Sequence, residues 1–121
     1  MPLSPEQLGR IDDTQMVEIE TRSGERARRT IIWVVVEDGE VFVRSVRGRA
    51  GRWYQRAVAD PNVALIVGAE SYRFRAVLAT DTESVERASN GFRRKYRPGR
   101  SLDSMIDPGV LDTTLRLNPI D

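Results

Sequence analysis

The segment from Ser45 to Tyr54, SVRGRAGRWY, has residue types that could hold an anion. An apolar, strand-like stretch leads into a loop with glycines and arginines, which runs directly into the start of a short helix. Glycine lets the backbone approach a ligand, the free amides of a helix N-terminus attract negative charge, and guanidinium groups bind phosphate oxygens in pairs. The segment therefore predicts a phosphate site, with a solvated basic turn as the alternative. It matches neither the GxGxxG spacing nor a Walker loop.

A second basic cluster flanks the first predicted hairpin. It consists of Arg22-Ser23-Gly24 on one side and Arg28-Arg29-Thr30 on the other. An antiparallel arrangement of the first three strands brings this end of the second strand close to the end of the third. Both basic clusters would then face one phosphate. The alternative is an ordinary charged hairpin end.

The composition narrows the chemistry that the chain can perform. Its 121 residues, 40% apolar and 31% charged, predict one globular domain over residues 1–121. The sequence has no Cys and no His, which excludes disulfides, thiolate nucleophiles and imidazole bases. An enzyme of this composition would take its chemistry from an organic cofactor. The net charge of +1 predicts no bulk attraction to nucleic acid or membrane, and the lack of an apolar leader predicts a cytoplasmic protein.

Alternating and continuous apolar stretches predict a mainly β (α+β) chain. Ser4-Pro5 opens a short helix to about Ile11, and Asp38-Gly39 is a strong hairpin signal. The continuously apolar centre of the second strand, residues 31–36, predicts coverage on both faces. Helices are expected at 53–59 and from 81 or 82 to about 96. The six predicted strands are 16–22, 29–37, 40–45, 63–67, 71–80 and 113–117, and they favour a closed or nearly closed antiparallel barrel.

An ordered set of short motifs resembles the deazaflavin-dependent nitroreductases and related flavin-binding split-barrel proteins, the pyridoxamine-phosphate-oxidase-like superfamily. The motifs are TRSG at residues 21–24, RRT at 28–30, DG at 38–39, the loop that ends in WY at 53–54, and ADPNV at 59–63. The resemblance covers Val17 to Gly68 and extends to the later strands by general pattern. The chain is also similar to an uncharacterised branch of that superfamily.

The resemblance implies a six-stranded antiparallel split β-barrel with a few short helices, usually a homodimer. A flavin-type cofactor, FMN or a deazaflavin, would lie in a groove near the subunit interface. The backbone of residues 45–48 would follow the ring system, and basic and hydroxyl residues would hold the phosphate. Carried over by position, the cofactor-binding residues are Arg22, Ser23, Arg29, Thr30, Ser45, Val46, Arg47, Gly48, Arg52 and Trp53.

Three functions follow as hypotheses. The first is an oxidoreductase that transfers a hydride between the bound FMN or deazaflavin and a small substrate. The second is a carrier or sensor that uses the same pocket without turnover. The third is a nucleic-acid-binding barrel, which would need a larger basic surplus and exposed stacking aromatics than this sequence offers.

Overall fold

The computed structural model describes residues 3–120, and its strands form one antiparallel sheet in the order β2-β1-β5-β6-β7-β4-β3. No helix among these residues has the length and apolar character needed to cross a lipid bilayer. Short 3₁₀ helices cover Gly48–Ala50 and Pro108–Thr113. In chain order, the other elements are α1 (Pro5–Asp13), β1 (Val17–Ser23), β2 (Arg26–Ile32), β3 (Val34–Glu37), β4 (Glu40–Val43), α2 (Arg52–Ala59), β5 (Asn62–Val67), β6 (Glu70–Leu78), α3 (Thr82–Lys95), α4 (Arg100–Met105) and β7 (Leu115–Pro119).

The sheet curls because its two edge strands are consecutive in the chain. β2 ends at Ile32 and β3 begins at Val34, so only Trp33 separates them. Each residue of extended chain spans at most about 3.6 Å, so the two edges must approach each other at this point. Elsewhere the edges have no partner strand, and the result is a barrel that is split along one side.

The break at Trp33 corrects the sequence-based expectation of six strands. The stretch 29–37 was expected to be one strand, and it forms the end of β2 and the whole of β3. The expectation that residues 31–36 are covered on both faces is wrong at Ile31, whose side chain is 66% exposed. The hairpin at Asp38-Gly39 is confirmed, and both residues have the positive φ that a tight turn of this kind requires.

The larger hydrophobic core fills the barrel. Alternate residues of β1 (Val17 and Ile19) point inward and pack with side chains from β5, β6 and β7. The buried side chains of α2, including Trp53 and Tyr54, join this core, as does Ile11 from α1. Ser4 caps the start of α1, as the sequence predicts, and it also forms a capping box with Gln7.

A second core lies between the β3–β4 hairpin and α3 with α4. It is built around Val35 and Phe42 of the hairpin and Phe92 of α3. The fully buried Arg44 lies beside it, and its guanidinium contacts neutral oxygens only, from Thr114, Ser89, Met105 and Val85 at 2.9–3.2 Å. Burial and the nearby Arg93 lower the pKa of Arg44 to about 10.

The end of α3 is anchored to the start of β3 by main-chain hydrogen bonds. The Lys95 ammonium donates to the carbonyls of Thr14 at 2.8 Å and Val34 at 2.7 Å, and to that of Ile11 at 3.5 Å. Tyr96 accepts from the Val34 amide at 3.1 Å. These contacts hold the start of β3 and the end of α1 against the end of α3.

Burial lowers the pKa of Lys95 to about 8; Asp12 and Asp13 oppose the shift and Arg94 adds to it. Between this value and the ordinary lysine pKa the unfolded chain binds a proton that the folded chain has lost, so the free energy of unfolding rises with pH. Because Lys95 is only partly buried, we expect a rise of about 1 kcal/mol between pH 7.5 and 9.5. Urea unfolding across this range measures it. Lys95→Gln should lack the rise, and an equal rise in the variant would contradict this assignment.

Candidate functional site

A groove of about 910 Å³ lies between the strand break, the loop after β4, the start of α2 and α4. Its walls combine apolar and cationic side chains. The apolar side chains are Met16, Ile31, Ile32, Trp33, Val46, Trp53 and Met105, and the arginines are Arg28, Arg29, Arg44, Arg47, Arg52 and Arg56. Hydroxyl groups complete the lining, and no carboxylate within residues 3–120 takes part in it.

The groove arginines differ in what already occupies their guanidinium groups. Arg44 is buried and bonded to neutral oxygens, and Arg29 forms an ion pair with Glu20 at 3.2 Å. The remaining groove arginines form no ion pair within residues 3–120; they are Arg28, Arg47, Arg52 and Arg56. A concentration of unpaired positive charge beside apolar walls is suited to an anionic ligand.

Arg56 shows how close these cations are to one another. Its Nε donates to the Thr21 hydroxyl at 2.8 Å, which fixes the side chain against β1. Burial lowers the pKa of Arg56, and the neighbouring charges of Arg28 and Arg52 lower it further. The strand register explains the position of Arg28, because Thr21 pairs with Arg28 across β1 and β2. The three guanidinium groups therefore share one positive field.

The loop between β4 and α2 is held by its own hydrogen bonds. The Ser45 hydroxyl donates to the Gly48 carbonyl at 2.8 Å, and the Ser45 amide donates to the Thr113 hydroxyl at 3.0 Å. Arg49 pairs with Asp112 at 2.7 Å, which ties the loop to the second 3₁₀ helix. The loop backbone is therefore positioned before any ligand arrives.

Helix α2 begins directly at the groove. Gly51 is its N-cap residue and provides no side chain to bond the first amide groups. A helix leaves these amides without partners inside the helix and places a partial positive charge there. Arg47 and Arg52 flank this end of the helix, and both line the groove.

The structure brings most of the sequence-predicted residues into the groove. Gly48 is buried with φ +64° and does not line it, and Arg22 lines a separate cavity of about 180 Å³. Ser23 lies at the exposed hairpin end and lines neither cavity. The residues that do line the groove are Arg29, Thr30, Ser45, Val46, Arg47, Arg52 and Trp53.

Three groove arginines are absent from the cofactor-binding residues that the resemblance implies: Arg28, which the sequence placed only in the second basic cluster, the buried Arg44, and Arg56. Side chains alternate along a strand, so Arg28 shares the face of the buried Ile32, whereas Arg29 points to the other face and meets Glu20. This alternation could have identified Arg28 from the sequence. Arg56 follows Arg52 by one helical turn and could have been identified from helical periodicity.

Solved structures with similar folds include three of interest. A conserved hypothetical protein of Mycobacterium tuberculosis is 17% identical with a TM-score of 0.76, covering 98% of this chain and 82% of that one. The heme storage protein HutZ of Vibrio cholerae is 14% identical with a TM-score of 0.73, covering 100% and 92%. The FAD-binding protein of Mycobacterium smegmatis is 16% identical with a TM-score of 0.67, covering 98% and 92%.

These likenesses define the class of protein: the chain has the split-barrel fold found in flavin-binding proteins, as the motif resemblance predicts. Within that class, it belongs to the family described as "Uncharacterized protein conserved in bacteria (DUF2255)", whose model matches residues 7–117. No curated protein sequence matches the chain significantly.

The close contact between Gly51 and Ser45 provides a test of the loop. A Cβ atom at Gly51 would lie 2.2 Å from the Ser45 Oγ, whereas one at Gly9 would meet no atom within 4 Å. We expect Gly51→Ala to lower the free energy of unfolding by about 2 kcal/mol, because Ser45 must leave the Gly48 carbonyl. Gly9→Ala, inside α1, should raise it by about 0.5–1 kcal/mol. Chemical denaturation measures both, and equal effects would contradict this account of the loop.

Proposed function

We propose that this protein binds a flavin-type cofactor in the groove, with the planar ring against the apolar wall and the anionic tail among the arginines. The observation that carries the proposal is the combination of apolar walls with unpaired guanidinium groups and no lining carboxylate in residues 3–120. Such a surface suits an amphipathic ligand with an anionic end. The FAD bound by the similar Mycobacterium smegmatis protein is a ligand of this kind.

Each wall of the groove has a separate task in this proposal. Trp53 and Ile32 are buried apolar residues that exclude water from the ring. Trp33 belongs to the same apolar lining, and its stacking on Tyr96, with ring centroids 3.8 Å apart, holds its side chain in place. Arg47 and Arg52, beside the free amides of α2, orient the tail. A bound flavin or deazaflavin supplies hydride transfer, and the chain supplies position and shielding.

The same pocket supports an oxidoreductase or a carrier, and reduction kinetics distinguish them. We favour an oxidoreductase acting on a small substrate, because the groove is large enough for a ring and a second small molecule. An oxidoreductase should accept electrons from a nicotinamide or a reduced deazaflavin within seconds, as seen in the absorbance of the bound cofactor. Binding without reduction by any donor would indicate a carrier or sensor.

Removing the cations at the start of α2 should remove the cofactor. We expect the protein to bind FMN or a deazaflavin at micromolar concentration, and the double variant Arg47→Ala/Arg52→Ala to bind at least tenfold more weakly. Two charge-assisted contacts to a phosphate are each worth more than about 1 kcal/mol, which justifies this size. Fluorescence titration measures the affinity, and circular dichroism verifies that the variant folds.

The matched control is the double variant Arg73→Ala/Arg75→Ala. These exposed arginines lie on β6, outside the groove, and their loss changes the net charge by the same amount. The control should bind as tightly as the unmodified protein. Unchanged binding in the groove variant would remove Arg47 and Arg52 from the site, and failure of every flavin and deazaflavin to bind would refute the proposed function.

We also propose a homodimer. Met16, Ile31 and Val46 line the groove and are 60%, 66% and 49% exposed, which is unusual for apolar side chains unless association covers them. Ile31→Glu/Val46→Glu should shift the sedimentation coefficient from dimer to monomer. Leu78→Glu, at a position 53% exposed outside the groove, should leave it unchanged. A monomeric unmodified protein at high concentration would contradict the proposal.

A further inference from the structure

We infer that the groove holds two anionic groups of one ligand, the second at a subsite formed by Arg28 and Arg56. This inference rests on the proposed function and specifies its ligand: a flavin or deazaflavin whose tail carries at least two negative groups, such as a pyrophosphate. The two subsites are joined by Arg52, which shares one helix face with Arg56 and flanks the start of α2 near Arg47.

The second subsite is built from residues of three elements, α2, β1 and β2. Arg56 projects from the second turn of α2, and its bond to the Thr21 hydroxyl at 2.8 Å holds it against β1. Arg28 comes from β2, directly across the ladder from Thr21. Neither arginine forms an ion pair within residues 3–120. The Arg56 bond uses Nε, so the two terminal nitrogens keep their donors for a ligand.

The first subsite, formed by Arg47 and Arg52 at the start of α2, lies on other segments of the chain and is held in place by other contacts. Arg47 directly precedes the 3₁₀ helix Gly48–Ala50, which packs against the second 3₁₀ helix through Arg49 and Asp112. Arg47 lies in the loop that follows β4, whereas Arg28 lies on β2, and both line the groove. The two arginines are therefore carried to the groove by different elements.

The number and placement of the unpaired arginines favour a ligand with two anionic groups. Arg28, Arg47, Arg52 and Arg56 line one groove from β2, the loop after β4 and α2. A phosphate monoester and a pyrophosphate diester both carry about two negative charges near neutral pH, so total charge does not distinguish them. The pyrophosphate spreads its charge over two groups, and each group can meet a different set of arginines. The groove of about 910 Å³ also has room for a tail longer than that of a mononucleotide.

Titration with riboflavin, FMN and FAD tests the inference, since these ligands share one ring and carry no phosphate, one phosphate and two phosphates. We expect FAD to bind at least tenfold more tightly than FMN, and FMN more tightly than riboflavin. Arg28→Gln and Arg56→Gln should weaken FAD binding at least tenfold and leave FMN binding within twofold. Arg26→Gln is the control, because it removes a positive charge from β2 on the same strand face but outside the groove.

Thermal unfolding gives a second readout that does not need the ring. Inorganic pyrophosphate should raise the melting temperature more than the same concentration of phosphate, and Arg28→Gln should abolish this difference. Without ligand, Arg28→Gln should melt at or above the temperature of the unmodified protein, because it removes like-charge repulsion. An arginine with a purely structural role would instead lower it.

The outcomes separate this inference from the proposed function. Equal affinity for FMN and FAD, or equal losses of both ligands in Arg28→Gln, would overturn the second subsite and leave flavin binding intact. A pyrophosphate effect that survives in Arg28→Gln would also overturn it. If no flavin or deazaflavin binds but the pyrophosphate effect depends on Arg28, the proposed function fails and the paired anion site stands.

Discussion

The structure depends on one covalent constraint: the two edges of the sheet are joined through a single residue. Trp33 is all that separates β2 from β3, so the sheet must close on itself where these strands meet. The closure positions the groove, because it brings the strand break at the end of β2 close to the loop after β4; Val34, just after the break, pairs with Val43, the last residue of β4. Sequence-distant arginines on these segments reach one ligand-sized space only because the sheet curls.

The fold uses its cations in two different ways. Arg44 and Lys95 are buried or half-buried and donate to neutral oxygens, most of them main-chain carbonyls, so they connect helices to strands. The groove arginines other than Arg29 and Arg44 form no ion pair within residues 3–120, and among them only Arg56 donates to a neutral oxygen, the Thr21 hydroxyl. A positive charge with satisfied hydrogen bonds stabilises a position, whereas an unpaired one beside apolar walls favours binding of an anion. This difference separates the structural arginine Arg44 from the candidate ligand-binding ones.

The local elements could be predicted from short-range chemistry. The Ser4 cap and the Asp38-Gly39 turn act within a few residues, and the structure confirms both. The sequence left Asp81 or Thr82 as the first residue of the long helix, and the structure has Asp81 as the cap of α3. The continuous apolar run after Arg29 misled the strand assignment, because β-branched residues indicate a strand without indicating where it bends. At the bend, Trp33 stacks against Tyr96, a contact between residues far apart in sequence.

The sequence by itself determined the class of fold, the absence of imidazole and thiol chemistry, and a basic, glycine-containing loop before a helix. These follow from residue types and spacings, which act locally. Only the tertiary structure decided which arginines are free. Arg29 is paired with Glu20 across a strand ladder, and Arg44 is enclosed by α3 and α4, whereas Arg28 and Arg56 meet at Thr21. Which partner a charged side chain meets depends on the distances between groups in the folded protein, and these distances are set only when the barrel closes.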